Sequence, residues 1–306
     1  MDYVKKNTLL LAEAPDDDWT FGEWRKNNII ASRIFIRVNK FFRAIRRIWI
    51  NLHLPFVEIW YSNNLKKSIK LADVVIVHIT YLTLNLPKYV NKLNPNAKVI
   101  AWYWHIIGLE TLPQKIEGEC SVWSFDESDC KKYNLSFNHQ YYFKSLVKNN
   151  ESPELDVFFC GADCGRGKEI VDFYDFCVSQ NFKVKFQIVR PRYEKIPNKL
   201  IVPFQKYNDI LVNNLNSRTL LEIMRPGQTG ATLRQMEALF QKRKLITNNT
   251  NIKNEDFYRP QNIFILGERP LNTLADFINA PYDHSVDKYI DSYDVFSWLK
   301  KFMDSL

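Results

Sequence analysis

The chain has 306 residues, 46% of them apolar and 25% charged, which excludes a disordered polymer and leaves room for one large domain or two ordinary ones. A net charge of +8 points to an anionic partner, and five cysteines without a CxxC pair argue against a disulfide framework or a zinc site. No apolar run is long enough to cross a bilayer and no signal-peptide pattern opens the sequence, so a cytoplasmic location is expected.

Taken in chain order, short β-like runs alternate with helical patterns. Thr8–Glu13 reads as a first strand, Ile29–Ile50 as helix and Val57–Tyr61 as a strand. Asp73–His78, Lys98–Trp104 and Cys120–Phe125 follow as strands. Continuous apolar runs of this kind suit a parallel sheet covered on both faces. The polar interval Lys148–Glu154 reads as a linker. A second series then begins. Its strands are Asp156–Cys160, Lys183–Val189, Lys199–Val202, Thr219–Met224, Lys244–Thr247 and Asn262–Leu266. Its helices are Gly167–Gln180, Tyr207–Leu215, Thr232–Lys242 and Val295–Met303. The expected architecture is α/β: two Rossmann-like doubly wound domains, residues 1–150 and 151–306, facing a central cleft, with the C-terminal helix packing back on the first.

Six cations within residues 29–54 (Arg33, Arg37, Lys40, Arg43, Arg46, Arg47) face no acid between Glu23 and Glu58. Ile34, Val38, Phe41, Ile45 and Ile48 supply an apolar stripe at steps of three and four. A basic amphipathic helix of this kind suits an anionic membrane surface, reached through Arg33, Arg37, Lys40, Arg43 and Arg47. It equally suits a domain helix whose stripe packs on a sheet, with Phe35, Phe42 and Trp49 left over.

The most informative stretch is Arg225-Pro-Gly-Gln-Thr-Gly-Ala-Thr-Leu-Arg-Gln-Met-Glu-Ala-Leu239, between the strand Thr219–Met224 and a helix. A helix N-terminus offers unpaired N–H groups and a partial positive charge. Gly230 allows close backbone approach, and Gln228, Thr229 and Thr232 can donate. Arg234 in the first turn is unfavourable unless an anion is near. Glu237 could accept the two hydroxyls of a ribose, or be a solvated helix residue beyond a Thr-capped turn. Arg166 and Lys168 follow the first strand of the second series and could pair with a diphosphate, with Arg190 a further cation. Phe204 or Tyr207 could pack on a base or in the core.

Strand, glycine turn, then a helix bearing Glu237-Ala-Leu followed by Lys244-Leu-Ile-Thr resembles the donor-binding signature of GT-B glycosyltransferases. Asp156–Arg166 fits the opening of their second domain. Val122-Trp-Ser-Phe-Asp-Glu-Ser-Asp129 is similar to a segment of small bacterial enzymes that build lipopolysaccharide, capsule or exopolysaccharide. The resemblance implies a nucleotide-diphosphate sugar as donor substrate, UDP- or dTDP-linked, no metal or other cofactor, and Glu237 on the ribose. It implies a lipid-linked or lipopolysaccharide acceptor at the inner face of the cytoplasmic membrane. Many retaining members carry an earlier Glu where this chain has Thr229, which points to inversion. An inverting enzyme needs a base. The candidates are Asp18, Asp126 and His105, each beyond a predicted strand of the first domain. Two other readings are a basic nucleic-acid-binding protein, disfavoured because no recognised binding motif occurs, and a non-catalytic nucleotide-binding protein of the same fold.

Overall fold

The computed structural model describes residues 7–13, 19–148 and 152–306, so the base candidate Asp18 and part of the expected linker lie outside the described residues. The chain divides into two compact units.

The first unit runs to Asn138 and also takes Leu299–Leu306. Its elements are β1 (Thr8–Ala12), α1 (Trp19–Lys26), β2 (Ile30–Arg33), α2 (Lys40–Asn51), α3 (Asn63–Leu71), β3 (Val74–His78), α4 (Leu86–Leu93), β4 (Lys98–Tyr103), β5 (Ser121–Ser124), α5 (Glu127–Tyr133) and β6 (Ser136–Phe137). The sheet is wholly parallel in the order β2-β1-β3-β4-β5-β6. Its centre is the β-branched run Val74-Val-Ile-Val, entirely buried, flanked by Leu9–Leu11 and Val99–Trp102. His78 ends β3 inside this core, with its ring against Trp24 at 5.4 Å and Trp104 at 5.1 Å. Burial, helped by the neighbouring His105, pushes its pKa down to about 3. Phe302 packs against Trp102 and Trp123 at 5.7 and 5.0 Å, which ties the chain's end to this unit.

Two expected elements of this unit differ. The predicted helix over Ile29–Ile50 splits, because Ile30–Arg33 pairs with β1 as an edge strand. The helix proper begins only at Lys40, where Asn39 Oδ1 accepts from Phe42 N at 3.0 Å and caps it. The predicted strand Val57–Tyr61 is a 3₁₀ turn over Val57–Trp60, and only Tyr61 bridges, antiparallel, to Phe35.

α2 carries three stripes instead of the expected two. Arg46 and Ile50 are buried, with Ile45 and Trp49 partly buried beside them, and the Arg46 guanidinium lies 4.2 Å over the Phe35 ring. Lys40, Arg43 and Arg47 form an exposed cationic stripe. Phe41, Ala44, Ile48 and Leu52 recur at steps of three and four and are exposed too. Phe41 and Ile48, expected on the sheet, therefore face solvent, while Phe35, expected to be spare, is buried.

The second unit is His139–Trp298. Its elements are β7 (Leu155–Ala162), α6 (Gly167–Ser179), β8 (Val184–Val189), α7 (Tyr207–Leu215), β9 (Ser217–Glu222), α8 (Leu233–Phe240), β10 (Lys244–Thr247), β11 (Ile263–Ile265), α9 (Leu274–Asn279) and α10 (Val295–Met303), whose last turn runs into the first unit. The sheet is again parallel, in the order β11-β10-β9-β7-β8. The unit begins ahead of the polar interval at 148–154 because Tyr142 pairs with the segment before α10. Tyr142 N donates to Tyr293 O, and Val295 N donates to Tyr142 O, both at 3.0 Å. The predicted strand Lys199–Val202 is reduced to a 3₁₀ turn and a single bridge from Ile201 to Ile188. Among the described residues no helix is long and apolar enough to cross a membrane.

Candidate functional site

In each sheet the strand order reverses at one place. In the second it does so between β7 and β9, whose crossovers leave in opposite directions. The loops after the two strands diverge there, which opens a crevice beyond their carboxyl ends, the usual ligand position in open α/β sheets.

The loop after β7 is organised by Asp163, fully buried. Its Oδ1 accepts from Gly165 N at 3.0 Å and Gly167 N at 2.8 Å, and its Oδ2 from Arg192 N and Tyr193 N, both at 2.6 Å. Burial alone would raise this carboxyl's pKa, but the four N–H groups outweigh it and hold it below the ordinary value. Gly167 must be glycine, since an added Cβ would stand 2.5 Å from Tyr193 Cβ. Asp163→Ala therefore strands four backbone donors, and an urea titration should show a loss of roughly 3 kcal/mol, with Asp163→Asn losing less. In the sequence Asp163 is one residue of the stretch Asp156–Arg166, with nothing in its spacing to single it out.

Arg166 donates to the carbonyls of Ile223 and Ala162, so it clasps the ends of β9 and β7 together. Its pKa is lowered first by burial and then by Arg225, with Arg234 adding to the repulsion and Glu222 opposing it. Lys168 stands apart, exposed and paired with Asp172 at 2.6 Å along its own helix. Arg190 follows β8, exposed and left-handed at φ 51°.

After β9 the turn closes on Gln228 N donating to Arg225 O at 3.1 Å, with Gly227 at φ +80°. Arg225 is exposed and Gln228, Thr229 and Gly230 are half-buried. Thr232 caps α8 by accepting from Arg234 N at 3.1 Å. Beneath the turn lies Glu222, 3% exposed. It accepts from Thr232 Oγ1, from Gln235 Nε2 at 3.0 Å and from Thr247 Oγ1 at 2.5 Å. One carboxylate thereby fixes the start of α8 against β9 and β10. Glu222 and Arg225 were both missed; Glu222's signal was a lone acid inside the apolar run Thr219–Met224.

Arg234 and Glu237 turn inward. Glu237 is 2% exposed, and its Oε2 meets Arg234 Nη1 at 2.8 Å. Arg234 also donates to Asn214 Oδ1 at 2.7 Å and to Cys160 O at 2.9 Å. Tyr207 hydrogen-bonds Glu237 and, through its hydroxyl, Tyr142. Burial, reinforced by Glu237, raises its pKa well above the usual phenol value. Glu237 is therefore not a solvated helix residue, and Tyr207 is half-buried beside it. Phe204, on the same loop, is 81% exposed and available for stacking.

In the first sheet the order reverses between β1 and β3. Glu13 follows β1 and hydrogen-bonds Thr80, which follows β3. The residue keeps solvent contact, yet desolvation of its carboxyl raises the pKa, with Arg47, Arg46 and the Thr80 hydroxyl pulling the other way. Its only mark in the sequence was its place at a strand end. Asp126, by contrast, is 1% exposed and caps α5, accepting from Ser128 N at 3.0 Å and Asp129 N at 3.2 Å. His105 is exposed beyond β4.

The reversal point of the first sheet thus holds Glu13 beside Thr80, and that of the second holds Arg166, Arg225 and the capped start of α8.

No protein-family model matches the chain, and no curated protein does. Solved structures match it over nearly the whole length. One is AviGT4, a glycosyltransferase involved in avilamycin A biosynthesis, at TM-score 0.56 and 8% identity over 98% of this chain and 96% of that one. Another is Anabaena HepE in complex with UDP, at TM-score 0.54 and 10% identity over 98% and 99%. A third is the lipopolysaccharide outer core galactosyltransferase WaaB, at TM-score 0.50 and 12% identity over 97% and 98%. With its two parallel doubly wound sheets, the chain has the fold of the GT-B glycosyltransferases.

Proposed function

We propose that the protein is an inverting glycosyltransferase that moves a sugar from a nucleotide-diphosphate donor, UDP- or dTDP-linked, to a membrane-associated glycan. The pathway we assign is assembly of lipopolysaccharide core, O-antigen or a related surface polysaccharide at the inner face of the cytoplasmic membrane. The observation that carries the reading is the reversal point between β7 and β9, where Arg166, Arg225 and the capped start of α8 gather over the buried Glu222. Such a set balances a diphosphate with fixed charge and N–H donors. The fold shared with HepE, whose structure holds UDP, agrees with a nucleotide as ligand.

In this reading Arg225, Gln228 and Thr229 hold the diphosphate, Arg166 and Arg234 shape the floor, and Phe204 stacks on the base. Glu13 takes the proton from the acceptor hydroxyl. That oxygen bonds to the anomeric carbon while the bond from this carbon to the diphosphate oxygen breaks. The nucleoside diphosphate leaves with the electron pair, its charge held by the arginines. Glu237 locks Arg234 in place.

The test is turnover. Purified protein, a panel of radiolabelled nucleotide sugars and membrane glycolipid extract should give one labelled lipid-linked product with inverted anomeric configuration. Donor hydrolysis alone, or no product with any donor, would contradict the proposal.

A further inference from the structure

Of the eighteen large hydrophobic side chains exposed among the described residues, seven fall between Phe41 and Ile59. Such crowding marks a binding surface, whereas scattered single residues would not. The stripe Phe41, Ile48, Leu52 continues past the end of α2 into the tip Leu52-His53-Leu54-Pro55-Phe56. Phe41, Leu52 and Phe56 are 67%, 64% and 73% exposed.

The tip is held in this display at a conformational cost. His53 and Phe56 both sit in the left-handed region, at φ 51° and 60°, which L residues with large side chains seldom adopt. Trp49 Nε1 donates to Pro55 O at 2.9 Å and braces the turn, and Leu54 N donates to Trp49 O at 3.1 Å. Strain persists only where surrounding structure enforces it, and here it turns an aromatic ring outward. Lys40, Arg43 and Arg47 line the flank of the apolar stripe, with Arg37 just before the helix.

We infer that residues 41–59 form a bilayer-inserting element, in which Leu52, Leu54 and Phe56 enter the acyl boundary of an anionic membrane while Lys40, Arg43 and Arg47 stay at the headgroups. The charge pattern favours lipid over a protein partner: the cations border the apolar stripe along the whole helix, which suits a continuous anionic plane. This goes beyond a charged surface contact, because the tip adds salt-resistant apolar burial to a salt-sensitive attraction. It does not depend on the donor reading, since a protein that bound no nucleotide would still insert.

Sedimentation of the full chain with vesicles separates the two parts. Wild-type protein should bind phosphatidylcholine vesicles containing phosphatidylglycerol and bind pure phosphatidylcholine poorly, with part of the binding surviving high salt. The pair Leu52→Ser and Phe56→Ser should weaken partitioning at least about tenfold and abolish the salt-resistant part, because each buried side chain contributes on the order of one such factor. Arg43→Ser with Arg47→Ser should weaken binding at low salt and steepen nothing at high salt. All these side chains are exposed, so circular dichroism should be unchanged. Equal binding by the tip variant, equal binding to neutral vesicles, or a concentration-dependent dimer dissolved by Phe56→Ser would overturn the inference.

Discussion

Glu237→Ala should destabilise the second unit by about 3–5 kcal/mol, the usual consequence of stranding a buried charge. The carboxylate is enclosed with Arg234, whose side chain is only 13% exposed, and their contact is 2.8 Å. Once it is gone, Asn214 Oδ1 and Cys160 O remain as acceptors, neither charged. The Tyr207 hydroxyl loses this partner too and keeps Tyr142. Glu237→Gln retains an acceptor without the charge and should fall in between. The check is urea unfolding followed by the double variant Arg234→Met/Glu237→Met. Because both charges leave together, it should recover most of the loss. If Glu237→Ala unfolds at the wild-type midpoint, the carboxylate is not part of a buried pair.

Glu13→Gln should cut turnover by roughly 10²–10⁴, the range for losing a general base, while donor affinity stays within error. The sign of the pH dependence follows from the carboxyl's surroundings. Burial raises its pKa, so the deprotonated, active form is lost as pH falls through a value above that of an ordinary glutamate. Wild-type kcat/KM should therefore decline on the acid side earlier than a solvated carboxylate would dictate. Arg47→Ala removes the largest opposing influence and should move that limb to still higher pH. Turnover of Glu13→Gln within twofold of wild type, or an acid limb unmoved in Arg47→Ala, would assign the proton to another group.

How much of this could be read beforehand varies with the physics. β3, β4, β7 and β9 are legible because a central parallel strand is buried on both faces and spells a continuous apolar run. The edge strand β2 is not: Ile30–Arg33 carries Arg33 and merges into a helical rhythm, and only pairing with β1 separates it. α2 had the right cations but the wrong face, since spacing gives a stripe without saying which stripe meets the core. The turn at 225–232 was visible from its glycines and threonines. What lies under it was not. Glu222 and Glu237 look alike in sequence, yet Glu222 is satisfied from α8 and β10, and Glu237 from Arg234 and from Tyr207, thirty positions earlier. Asp126 resembled a strand-end acid, and its capping of α5 depended on where that helix starts. Glu13 needed the sheet order, since only the neighbouring β3 brings Thr80 to it.

The most direct measurement is calorimetric titration of the full chain with UDP, GDP and dTDP, repeated on Arg225→Ala and Gln228→Ala. Both side chains sit at the turn after β9, and neither belongs to the buried network of Glu222 or Glu237. The prediction is saturable heat with at least one nucleotide, weakened about tenfold by Arg225→Ala, as expected for one lost charge-assisted contact, with an unchanged unfolding midpoint. No heat with any of the three, or undiminished affinity in Arg225→Ala, would contradict a diphosphate held at that turn.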